Sequence, residues 1–102
     1  MKINIFDDLI KLARERKSRP VVGSYTNKLL SDHFFSKAKV LEEINELIEA
    51  VEKDTNKTHE AADVFYHLIM YLEANNIKIE DVMLELEKRK NKPELEKKNK
   101  SE

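Results

Sequence analysis

"LEEINELIEAVEKDTNKTHEAADVFYHLIMYLEAN", residues 41–75, decides the fold. Together with Val40, its first part sets Ile44, Leu47, Ile48 and Val51 in one apolar stripe, which defines a long helix over residues 36–53. The polar run "DTNK" then breaks the pattern. From 58 to 75 a second helix carries Ala61, Ala62, Phe65, Leu68, Ile69 and Leu72 on one face and Val64, Met70, Tyr71 and Ala74 on another. Only a narrow stripe of His59, Tyr66 and Glu73 reads as wet. A helix apolar nearly all round must be covered on several sides, and a chain of 102 residues has little else to cover it with. The expected fold class is therefore all-α: a helical bundle built from an antiparallel helix hairpin and completed by homodimerisation.

Outward from the hairpin, Phe6, Leu9, Ile10 and Ala13 recur at helical spacing and predict a first helix over residues 4–16. "RPVVGSYTNKLL" (19–30) holds Pro20 and the sole glycine, Gly23, followed by Ser24 as the cap of a short helix ending near Leu30. A last helix over 79–90 should pack through Val82, Leu86 and the stem of Arg89. Residues 1–91 then form one domain, and "KPELEKKNKSE" (92–102) is too charged to pack and is expected to be a disordered tail.

Composition agrees with this plan and narrows the chemistry. One glycine, two prolines and 38% charged residues favour helices over sheet. Zero cysteines exclude disulfides, thiolate metal sites and a cysteine nucleophile. Without a long apolar run, a soluble, cytoplasmic protein is expected. The net charge of −1 offers no general attraction to nucleic acid or to an anionic membrane, so neither is an expected partner.

The chemistry concentrates in the carboxylates. On the first hairpin helix Glu43 and Glu46 lie beside the apolar stripe with Lys39, while Glu42 and Glu49 turn further towards solvent. On the second, Glu60, Asp63 and His67 share a side with apolar residues. Counted from the hairpin loop, Glu46 and Asp63 lie at similar heights, so Glu43, Glu46, Glu60 and Asp63 converge. Four facing acids repel one another unless a cation sits among them. All-oxygen ligands suit Mg²⁺, with Mn²⁺ also possible, better than Zn²⁺, and such a site suits phosphoanhydride chemistry. A solvated acidic face remains the competing explanation for either acidic stretch taken alone.

Glu42-Glu43-x-x-Glu46 followed by Glu60-x-x-Asp63 resembles the pattern of the MazG-like all-α nucleotide pyrophosphohydrolases. Within that superfamily, "SYTNKL" (24–29), "EAADVFYH" (60–67) and "IEDVMLELEKR" (79–89) most resemble the phosphoribosyl-ATP pyrophosphohydrolases. Leu41 stands where that family usually has glycine, and Lys78 where it usually has a helix-capping serine. The resemblance implies Mg²⁺-dependent hydrolysis of phosphoribosyl-ATP to phosphoribosyl-AMP and pyrophosphate, the second step of histidine biosynthesis, by a homodimer. Glu43, Glu46, Glu60 and Asp63 would hold metal, and Glu42 would support them or orient the attacking water. Lys28, Lys39 and Arg89 are the candidate phosphate contacts; Ser24, Tyr25 and Thr26 would offer hydroxyls, and His67 completes the set of substrate-binding candidates. Two alternatives stay open: a house-cleaning pyrophosphohydrolase of a non-standard nucleoside triphosphate or a dNTP, and a catalytically silent helical dimer.

Overall fold

The computed structural model describes residues 5–91, and among these every regular element is helical: α1 (Ile5–Ser18), α2 (Tyr25–Ser31), α3 (His33–Lys53), α4 (Lys57–Ala74) and α5 (Ile79–Lys90). The expected charged tail, 92–102, lies outside the described residues. No helix is long and apolar enough to cross a membrane.

The helix boundaries follow from local capping. Ser24 accepts a hydrogen bond from the Asn27 N–H and starts α2 as its cap. Asp32 does the same for α3 by accepting from the Phe35 N–H at 3.0 Å, so α3 begins at His33, three residues before the expected start at 36. Its end is a Schellman closure: Asp54 turns left-handed (φ 57°), and Thr55 and Asp54 donate back to the Ala50 and Val51 carbonyls. Asn76 (φ 59°) closes α4 similarly, with Ile77 donating to the Leu72 carbonyl. Asp and Asn tolerate this backbone region better than other side chains, which lets the chain turn twice without glycine. Lys78 begins α5 with no side-chain cap.

α4 is the central element, packed against each of the other four helices. One core cluster joins Ile10, Ile69 and Ile79, with Phe6, Leu9 and Leu72 against it; the other joins Ala13, Leu29 and Met70, with Leu30, Phe35 and Tyr66. On α3 the buried residues are Ser36, Glu43 and Ala50, recurring every seven positions and therefore on nearly one face. Much of the apolar stripe of α3 looks outward: Ile44, Ile48 and Val51 are exposed in the single chain, as is Leu41 beside it, while Val40 and Leu47 are half-buried.

Two expectations need correction. Glu73 does not belong to a wet stripe, because it is only 4% exposed and Tyr66 beside it is half-buried. Arg14 of α1 explains the burial: its guanidinium grips both Glu73 oxygens at 3.1 Å and both Glu80 oxygens at 2.7 and 2.8 Å, tying α1 to α4 and α5. Nor does α5 pack through Leu86 and Arg89, which are exposed; Ile79 at its start is the buried anchor.

Candidate active site

α3 and α4 carry the acids on facing sides of the hairpin. Glu42, Glu43 and Glu46 can each bring a carboxylate oxygen within 4.8 Å of the others, and His59, Glu60 and Asp63 form a second group of the same dimensions. Glu43 is 6% exposed and Glu46, Glu60 and Asp63 are half-buried, whereas Glu42 and His59 are exposed. The two groups sense each other: the Glu46 carboxyl is pushed up chiefly by Glu43, then by burial, and then by Glu60 across the hairpin.

Lys39 partly offsets this repulsion. Lys39 Nζ donates to Glu42 Oε1 at 3.1 Å and lies 3.5 Å from Glu43 Oε2, and the hydrogen bond to Glu42 raises its own affinity for the proton. His59 Nε2 lies 3.4 Å from Asp63 Oδ2. Yet Glu43 Oε1 and Glu60 Oε1 are buried with no hydrogen-bond partner. Buried carboxylate oxygens are costly unless something polar or cationic meets them. Two unpartnered oxygens, one from each helix, beside an acid whose proton affinity its neighbours raise, fit a hard divalent cation held by oxygen ligands.

α2 supplies the wall next to the acids. The Tyr25 hydroxyl bonds His67 Nε2 at 2.7 Å, and the Thr26 and Tyr66 hydroxyls share a further hydrogen bond. His67 is buried, and its Nδ1 donates to the Asp63 carbonyl at 2.7 Å. Burial raises the Tyr25 hydroxyl above its usual range, Lys39 opposes this, and Glu43 adds to it. Tyr25 thus shares an electrostatic environment with the acid cluster.

The remaining candidates sit elsewhere or are already engaged. Ser24 is occupied as the α2 cap and also accepts from Arg16 Nη1 at 2.7 Å. Lys28 places its ammonium 4.2 Å from the centre of the Phe35 ring, next to an open groove of about 550 Å³ that it lines with Val21, Ser24, Tyr25 and Asp32. Arg89 pairs with Glu85 on its own helix, and α5 packs mainly against α4 rather than against the acid-bearing side of α3. His59 and Tyr66, which the sequence places only in a wet stripe, stand at the site. His59 stands four residues before Asp63, a spacing that puts both side chains on one side of a helix. No local signal marks the bond from Tyr66 to Thr26, which joins residues 40 apart.

The profile described as phosphoribosyl-ATP pyrophosphohydrolase matches residues 6–90. A phosphoribosyl-ATP pyrophosphatase of Clostridium acetobutylicum is 41% identical over 89% of this chain and 86% of its own length. One from Methylobacterium radiotolerans is 42% identical over 80% of this chain and 79% of its own. The histidine biosynthesis bifunctional protein HisIE of Pyrococcus furiosus is 35% identical over 86% of this chain, which spans 42% of that longer protein. No solved structure matches. The chain belongs to the phosphoribosyl-ATP pyrophosphohydrolase family.

Proposed function

We propose that this protein hydrolyses the α,β-phosphoanhydride of phosphoribosyl-ATP to phosphoribosyl-AMP and pyrophosphate, the second step of histidine biosynthesis, as a Mg²⁺-dependent homodimer. The pathway carries a cytoplasmic location with it. The observation that supports this reading most is the pair of buried, unpartnered oxygens of Glu43 and Glu60, set among acids that face one another across the hairpin.

Glu43, Glu46, Glu60 and Asp63 are the residues to hold Mg²⁺, with Mn²⁺ as a substitute. When bound, the ion supplies Lewis acidity to the phosphate oxygens and neutralises the charge of the departing pyrophosphate. Glu42, exposed beside the cluster, accepts the proton of the attacking water as that water adds to phosphorus and the bridging oxygen leaves with pyrophosphate. Lys39 donates to a phosphate oxygen in exchange for its hydrogen bond to Glu42 and its ion pair with Glu43, and Lys28 meets a second anionic group from α2.

Homodimerisation is supported by apolar surface left without cover. Phe6, Phe65, Leu68, Val82, Met83 and Leu86 line a groove of about 280 Å³ with almost no polar surface, and the stripe of α3 is exposed as well. A second copy would cover them.

The reaction is tested with a nucleotide panel in the presence of Mg²⁺ or Mn²⁺. Phosphoribosyl-ATP should be cleaved with kcat/KM at least ~100-fold above ATP, dATP, dCTP or dUTP, since its extra ribose phosphate gives the basic residues a second anionic handle. A dNTP cleaved faster would move the protein to the house-cleaning group.

A further inference from the structure

Consecutive residues of α2 are bonded to consecutive residues of α4: Tyr25 to His67 and Thr26 to Tyr66. The stretches "SYTNKL" and "EAADVFYH" are therefore joined side chain to side chain. Either hydroxyl can donate between Thr26 and Tyr66, but the bonds of His67 have a direction. A carbonyl only accepts, so the His67 nitrogen facing the Asp63 carbonyl, Nδ1, carries a proton. In the neutral ring Nε2 then holds a lone pair, and the hydrogen in the 2.7 Å contact with Tyr25 has to come from the phenol. Tyr25 has one proton, and this bond uses it. What its oxygen has left to offer are acceptor positions.

Access separates the two partners. His67 is 5% exposed with both nitrogens engaged, whereas Tyr25 is 44% exposed and lines the open groove beside Lys28. The Tyr25 ring is held edge-on by Phe35 and by His67, with centroids 5.9 and 5.7 Å away. The chain of bonds from Tyr25 to His67 and from His67 to the Asp63 backbone sets the phenol next to the α4 acids.

We propose that His67 is a positioning residue that acts through Tyr25, holding the phenol oxygen as a fixed hydrogen-bond acceptor at the edge of the acid cluster, where it takes an O–H donor from the ligand. An ionised phosphate, which only accepts, does not meet it. Two ligand groups supply such a donor: a water carried by the divalent cation, and a ribose hydroxyl of the nucleotide. Tyr25 thereby complements Lys39, which donates and takes the phosphate. The inference rests on the nucleotide-hydrolase reading but is tested separately from it.

The first test needs no turnover. Long-range ¹H–¹⁵N NMR of the full chain labelled at histidine should show the His67 ring protonated at Nδ1 and bare at Nε2; a proton on Nε2 would overturn the proposal. In Tyr25→Phe, a metal-borne water as the donor predicts Mn²⁺ affinity, read by EPR without nucleotide, to fall about 3- to 10-fold, the range of one net hydrogen bond. A ribose hydroxyl predicts unchanged Mn²⁺ affinity and a rise in nucleotide KM of the same size. If neither quantity moves, Tyr25 accepts nothing and the idea is wrong. His67→Gln, which keeps an acceptor near the Nε2 position, should retain more of either property than His67→Leu. In a Tyr25→Phe background the two His67 variants should be equal. A further loss with His67→Leu in that background would mean that His67 does not work through Tyr25. If the unaltered chain hydrolyses no nucleotide, the function reading fails, while NMR and Mn²⁺ affinity still judge the Tyr25 acceptor.

Discussion

Lys39 holds Glu43 by only one of its oxygens: Nζ is 3.5 Å from Oε2, and Oε1 is buried without a partner. In the metal-free protein this lysine relieves part of the repulsion among Glu42, Glu43 and Glu46. Lys39→Met should lower the metal-free Tm by about 5 °C, corresponding to roughly 1 kcal/mol for a domain of this size. Addition of Mg²⁺ should then raise Tm more in the variant than in the parent, because metal meets the acids that Lys39 had served. Thermal scans with and without Mg²⁺ check both statements; an equal metal response in the two proteins contradicts them.

Glu46→Gln removes an acid whose proton affinity Glu43 and Glu60 raise. Divalent-metal affinity should fall at least ~10-fold, as it does when a ligand or its support is lost, while helicity is kept. Without metal the variant should melt higher than the parent, since one like charge has gone. Calorimetric titration and circular dichroism report the two effects independently.

The Arg14 fork makes stability depend on acid pH. Hydrogen bonding to Arg14 draws the Glu80 carboxyl down from 4.5 to about 2. Because the folded-state value lies below the ordinary one, the stabilisation is complete above about pH 4.5 and is lost as pH falls through about 2. The stability difference between the parent and Glu80→Gln should therefore shrink across that window, measured by denaturant unfolding. Arg14→Met should be worse, costing about 2 kcal/mol at neutral pH by stranding Glu73; this is below the usual loss for a buried pair because the Arg14 side chain stays 40% exposed.

Much of this arrangement was legible in the sequence, for reasons particular to each residue. The hairpin was readable because its apolar residues recur at helical spacing, and the facing acids because an antiparallel pair fixes which heights meet. The early start of α3 is itself a local signal, an aspartate three residues before Phe35, that periodicity alone overlooks. Glu73 was not readable: its partner Arg14 lies 59 residues earlier, and nothing near either residue marks the pairing. The bond between Tyr25 and His67, 42 residues apart, was hidden in the same way, although both residues stood out separately. Leu86 keeps helical spacing with Val82, but spacing does not tell whether the face meets its own chain or another.

Dimerisation is checked at the apolar groove. Sedimentation at micromolar concentration should show a dimer, and Phe65→Lys, placing charge on a ring that is 52% exposed in one chain, should give monomers of reduced helicity. A parent chain that sediments as a stably folded monomer contradicts the proposal.

The central claim, that acids facing one another across the hairpin serve a metal-dependent pyrophosphohydrolase, is tested most directly by pyrophosphate release from phosphoribosyl-ATP. With Mg²⁺ the parent chain should release one pyrophosphate for each phosphoribosyl-AMP formed. Chelation should abolish the release, and Glu46→Gln should reduce kcat/KM by at least ~100-fold while remaining folded. Undiminished release by Glu46→Gln, or none from the parent with either Mg²⁺ or Mn²⁺, would contradict the account.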